Sequence, residues 1–160
     1  MDHWRRGHKQ ICKKIHRGGN AEQYHADKKY KEAVAVAVEA CAADTKGLIA
    51  ASNYAACLFG LERFEEAKAL LRRTVPVARR VLGEGHELTI SMRQNFATVL
   101  FRDDGATLDD LREAVTMYEE TERIARRVFG GAHPLTVKIG GILPKARAAL
   151  RAREATEPSA

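Results

Sequence analysis

Asn53-Tyr54-Ala55-Ala56-Cys57-Leu58-Phe59 returns 42 positions later as Asn95-Phe96-Ala97-Thr98-Val99-Leu100-Phe101. The correspondence continues downstream. Phe64-Glu65-Glu66-Ala67 answers to Leu111-Arg112-Glu113-Ala114, and Ala78-Arg79-Arg80-Val81-Leu82-Gly83 to Ala125-Arg126-Arg127-Val128-Phe129-Gly130. Both blocks close on a histidine, His86-Glu87-Leu88-Thr89 and His133-Pro134-Leu135-Thr136, now at an offset of 47, so five residues have been inserted between Phe101 and Leu111. A repeat of this length written in helical patterns predicts an all-α solenoid, in which each helix pair buries its apolar face only against its neighbours.

Tyr30-Lys31-Glu32-Ala33 is a further copy of the Phe64 block, 34 residues earlier. A large apolar side chain, two polar residues and an alanine suit the start of a second helix: the first fills the groove between helices, and the alanine lets the backbones approach. The endings are mechanical too. Gly83 and Gly130 are expected to terminate helices in the left-handed conformation, and Thr89 and Thr136, or residues beside them, to begin the next ones. His86 and His133 lie on equivalent turns with no recurring nucleophile or carboxylate, which predicts structural hydrogen bonding rather than catalysis.

With 160 residues, 30% charged and 45% hydrophobic, the chain has the composition of a globular domain. No apolar run approaches the roughly 20 residues of a membrane helix, and the N-terminus is charged rather than greasy. Cys12, Cys41 and Cys57 are an odd number without framework spacing, as expected of free thiols in a reducing compartment. An intracellular setting, cytoplasmic or nuclear, is the expectation. Of the net charge of +6, residues 1–17 carry +5 (Arg5, Arg6, Lys9, Lys13, Lys14 and Arg17 against Asp2). A balanced body with one basic tip argues against nucleic acid, whose affinity comes from many neutralised phosphates together.

The period of 34, with Tyr24, Ala33 and Ala40, then Ala55, Leu58 and Ala67, then Ala97, Leu100 and Ala114, resembles tetratricopeptide repeats. The Asn-aromatic-Ala block and the Gly-x-x-His-x-Leu-Thr ending are similar to the longer repeats of kinesin light chains and their relatives. The resemblance implies a right-handed superhelix of antiparallel helix pairs over residues 18–153, about three repeats and a capping helix, followed by a disordered tail at 154–160. It further implies a protein or peptide partner on the concave face, no membrane, and no catalytic residue. There, the positions of Asn53 and Asn95 point into the groove, where an asparagine offers an amide and a carbonyl to an extended backbone. Gln94 and Arg102 lie on the same helix as Asn95 and are expected to add to that surface.

Trp4 followed by His8 and Cys12 amid lysines and arginines resembles the closing helix of a MYND-type zinc finger. The resemblance makes His8 and Cys12 the last two ligands of a finger whose six upstream cysteines are missing. Two ligands do not close a site that needs four. Residues 1–17 are therefore expected to be a remnant, with no cofactor in this chain and zinc only where the upstream part is present. The leading expectation is an interaction scaffold. The alternative is the C-terminal part of a MYND-containing lysine methyltransferase, or a zinc-dependent transcriptional adaptor. The chain shows no glycine-rich phosphate loop and no Ser/His/Asp arrangement that would support an enzyme.

Three places interrupt the pattern. Pro76 is expected to kink the second helix of its repeat without ending it. The insertion Arg102-Asp103-Asp104-Gly105-Ala106-Thr107-Leu108-Asp109-Asp110 has the aspartates of a calcium loop but neither its ligand alternation nor its terminal glutamate, and reads as a solvated turn capped by Thr107 or Asp109. Residues 136–153, with Gly140, Gly141 and Pro144, read as a degraded copy of a first helix serving as the terminal cap.

Overall fold

A computed structural model describes residues 45–156 of the chain. Five helices follow one another there: α1 Thr45–Gly60, α2 Phe64–Leu82, α3 Glu87–Arg102, α4 Leu108–Phe129 and α5 Pro134–Thr156. Each packs on the next in sequence, and α3 also touches α1 and α5. With no strand among the described residues, this is an all-α helical repeat solenoid, with α1–α2 and α3–α4 as pairs and α5 as the closing helix. The earlier copy around Tyr24, Ala33 and Ala40 lies outside the described residues, as do His8, Cys12, Cys41 and residues 157–160.

The repeat in the sequence is a repeat in burial. Leu48, Ala51, Ser52, Tyr54, Ala55, Cys57 and Leu58 of α1 are buried, and so are their counterparts Ile90, Arg93, Gln94, Phe96, Ala97, Val99 and Leu100 of α3. On the second helices Ala67, Leu71, Thr74 and Ala78 match Ala114, Tyr118, Thr121 and Ala125, all buried. Alanine at 55, 67, 97 and 114 allows the close helix approach that seals the seam. The hydrophobic clusters run continuously from Leu48 to Ala146, with Phe101 and Met117 packed against both halves.

The turns show how each helix is stopped. After α1 the Arg63 N–H donates to the Leu58 carbonyl (2.9 Å) and the Glu62 N–H to that of Phe59 (3.0 Å), a Schellman arrangement with Glu62 at φ 58. After α2 and α4, Gly83 (φ 86, ψ 163) and Gly130 (φ 85, ψ 168) take a region essentially reserved for glycine, more restrictive than the left-handed helical one. The next helix is then capped by histidine, not threonine. His86 Nδ1 accepts from the Leu88 N–H (3.1 Å) and His133 Nδ1 from that of Leu135 (3.2 Å). Thr89 and Thr136 sit one turn inside and are buried, Thr89 donating to the Ala78 carbonyl at 3.3 Å.

Pro76 does not end α2, which runs on to Leu82. Its ring is on the exposed side, where water can serve the carbonyl that loses its donor. Nor is α5 a shortened copy: at 23 residues it is the longest described helix, and it continues to Thr156, three residues into the segment expected to be tail.

The insertion is not simply a solvated turn. Thr107 and Asp110 form a capping box at the start of α4, with Asp110 N–H donating to Thr107 Oγ1 (3.1 Å) and Thr107 N–H to Asp110 Oδ2 (3.0 Å). Lys68 of α2, in the position that Val115 holds one repeat later, keeps only 6% of its side chain exposed. Its Nζ meets Asp103 Oδ2 at 2.6 Å, Glu65 Oε1 at 2.8 Å and Asp110 Oδ2 at 3.5 Å. From the other side Arg153 of α5 donates to the carbonyl of buried Ala106 at 2.6 Å. The inserted residues are thus held by α2 from one side and by α5 from the other.

Substituting Gly83 or Gly130 by alanine should cost about 1–3 kcal/mol in urea unfolding. No atom lies within 4 Å of the added Cβ, so the loss would be conformational; an unchanged midpoint would contradict the turn geometry. His86→Ala should cost about 1 kcal/mol and His86→Asn much less, because asparagine also caps. Burial alone would raise the carboxyl pKa of Asp103 and Asp110, but hydrogen bonds and the Lys68 charge outweigh it and hold both below the ordinary range. Their contribution to stability is present above that range, near pH 4, and lost as the pH falls below it. Unfolding midpoints measured from neutral pH to about pH 2 should fall more steeply for the wild type than for Lys68→Met, in which the cation is absent.

Candidate functional site

The first helix of each pair and the closing helix share one side of the stack and enclose a groove of about 370 Å³. Its walls are Ala55, Ala56 and Phe59 of α1, Gln94, Asn95, Thr98, Val99, Phe101 and Arg102 of α3, and Lys138, Ile142 and Lys145 of α5. Equivalent positions of successive repeats stand beside one another: Ala56, Thr98 and Lys145 form one row, and Asn95 with Ile142 the next. The floor is apolar, and the polar groups come mostly from α3 and α5.

Of the residues expected to contact a partner, Gln94, Asn95 and Arg102 line this groove. Asn53 does not. Its amide Nδ2 donates to the Ile49 carbonyl one turn back in α1 (2.8 Å), which turns the side chain along its own helix. Lys138, Ile142 and Lys145 join the wall without a sequence expectation, the glycines and proline of α5 marking that helix as a degraded cap. Applying the 47-residue offset to Thr98 and Asn95 would have found Lys145 and Ile142.

Gln94 is 2% exposed and is held by a short network. Its Nε2 donates to Thr98 Oγ1 (3.0 Å), the Thr98 hydroxyl donates to the Gln94 carbonyl (2.8 Å), and the Tyr118 hydroxyl of α4 lies 2.7 Å from the same Thr98 oxygen. With its own proton committed, Thr98 accepts from both neighbours. Burial pushes the Tyr118 phenol up to about 12, against smaller opposing effects of the Thr98 bond and Arg102 charge, so it stays a donor at neutral pH. The Gln94 Oε1 remains without a donor among the described residues. A buried acceptor in that state costs free energy.

Charge divides the two sides of the stack. A cleft of about 290 Å³ among α2, α3 and α4 holds Arg79, Arg93, Glu113 and Glu120, with Arg93 and Glu120 paired at 2.6 Å. The groove on the other side has Arg102, Lys138 and Lys145 and no acidic wall.

Among the described residues no group of three histidines, cysteines or carboxylates is placed to hold a metal ion, and no helix is long and apolar enough to cross a membrane. The methyltransferase and zinc-adaptor alternatives rest on residues 1–17, outside the described residues. Residues 48–105, from α1 through the middle of the insertion, match the tetratricopeptide repeat family. Repeats of this kind generally mediate protein–protein interaction and are typically non-enzymatic scaffolds. No curated protein and no solved structure matches the chain.

Tyr118→Phe should leave Thr98 one donor short and lower stability by about 1 kcal/mol. In an ultraviolet absorbance titration the wild type should show one phenol ionising near pH 12 that is absent from the variant; identical titrations would contradict the buried network.

Proposed function

We propose that the chain is an adaptor that holds an extended peptide or a protein segment in the groove of α1, α3 and α5, without chemistry of its own. The carrying observation is that three helices, each one repeat apart, contribute to one concavity that includes three of the four residues expected from the sequence. Asn95 brings an amide and a carbonyl to the wall and Arg102 a charge. An extended segment has main-chain groups to pair with Asn95 and side chains for the apolar floor. The kinesin-light-chain-like type belongs to the same proposal. Its support is the pair of Gly-x-x-His endings, whose glycine angles and histidine caps agree closely. An intracellular setting, and zinc at His8 and Cys12 only where the upstream part of a finger is present, are proposed from the sequence.

The test is selection of short random displayed peptides on the full chain. Ala56 is exposed on the groove wall, so Ala56→Trp fills the groove without touching the core. The expected result is a pool retained by the wild type and by the outer-face variant Arg73→Ala, and lost on Ala56→Trp. A pool indifferent to Ala56→Trp would overturn the groove as the binding surface.

A further inference from the structure

We infer that Asp104 and Gly105 of the insertion form a site of spontaneous covalent modification, the isomerisation of Asp104 to isoaspartate, and that the Lys68 clamp sets its rate. Among the chain's aspartates and asparagines, Asp104 alone is followed by glycine. With no Cβ on the following residue, nothing shields its amide nitrogen, which can then close a five-membered ring on the Asp104 side chain. Both residues are exposed and lie in the turn between α3 and α4, outside either helix.

The reaction needs only water. The Gly105 nitrogen gives up its proton and attacks Cγ of the Asp104 carboxyl group in its acid form. An N–Cγ bond forms, a carboxyl oxygen leaves as water, and a succinimide results. Water then adds to the former main-chain carbonyl and breaks its bond to the Gly105 nitrogen. That carbon becomes the free carboxyl, and the chain now runs through Cβ and Cγ, one methylene longer and unchanged in composition.

The fold restrains this step. The Gly105 N–H donates to Asp103 Oδ1 at 3.0 Å, and the other oxygen of the same carboxylate meets Lys68 Nζ at 2.6 Å. The Ala106 N–H closes the turn on the Asp103 carbonyl at 3.0 Å. Attack requires the Gly105 peptide plane to turn toward Asp104, which breaks the first of these bonds, so one carboxylate ties the nucleophile to the buried lysine. The lengthened backbone would separate Asp103 from Ala106, whose carbonyl Arg153 holds at 2.6 Å, and put the two grips on the insertion out of register.

The test is to age the full chain at neutral pH and physiological temperature, digest it with trypsin, and sequence the Asp103–Arg112 peptide by electron-transfer fragmentation. This distinguishes isoaspartate at 104 from that at 103, 109 or 110. Isoaspartate at 104 should accumulate slowly in the wild type, about tenfold faster in Lys68→Met, whose turn opens more often, and fastest in urea. His86→Ala, which weakens a different turn, should age like the wild type. Gly105→Ala, whose added Cβ meets only Asp103 Oδ1 at 3.4 Å, should suppress the reaction. Equal rates in the wild type and Lys68→Met, or equal acceleration by His86→Ala, would overturn the part given to the clamp. Isoaspartate spread evenly over the four aspartates, or absent from 104 in Lys68→Met, would overturn the site.

Discussion

A helical hairpin of this composition has more apolar surface than its two helices can cover between them. Contact between successive hairpins is what resolves the excess, and Ala55, Ala67, Ala97 and Ala114, all buried, mark where the backbones come close enough to do it. A larger side chain at any of them would push helices apart along the whole stack, because each pair has only its neighbours to lean on. The groove is a by-product of the same contact. Stacking pairs in one sense leaves the first helices on one side, so α1, α3 and α5 become its walls without any residue selected for that purpose alone.

The irregularities of the second described repeat are taken up by polar contacts instead. Five added residues could have looped into solvent, yet Lys68 and Arg153 reach them from α2 and α5. Removing a lysine so largely buried would leave Asp103 and Asp110 without their cation, the situation that makes broken buried pairs costly. Arg112 with Glu154 and Arg147 with Glu119 add exposed pairs along α5, each worth little singly. The buried Ile139, Leu143 and Ala146, clustered with Val115, Tyr118 and Ala125 of α4, hold α5 as a helix of 23 residues despite two glycines and a proline.

Much of this was legible in the sequence because it repeats. The first helices recur at an offset of 42, and the second helices, the stopping glycines at 83 and 130 and His86 and His133 at 47, and coincidence at so many places is hard to mistake. Of the features that occur once, the Thr107 cap and the run of α2 past Pro76 were legible from local chemistry, and the long-range contacts were not. Lys68 finds Asp103 and Asp110 at separations of 35 and 42 residues, and nothing local marks a lysine in a helix as a partner for a distant loop. The histidine caps were misassigned to the threonines because both residue types serve there, and only the geometry shows which one bonds. On the groove, Asn95 and its copy Asn53 open the same Asn-aromatic-Ala block but differ in space: Asn53 bonds back to Ile49 and stays off the wall.

The central claim is that α1, α3 and α5 stand side by side on one face. Spin labels at Ala56 and Lys145, two neighbouring-helix steps apart across the groove, test it most directly by double electron–electron resonance on the full chain. With interaxial spacings of about 8–10 Å per step, the account predicts a single narrow distribution centred at about 20 Å. A broad distribution, or one centred beyond about 40 Å, would contradict it, since no stack with that separation could bring the two side chains into one concavity.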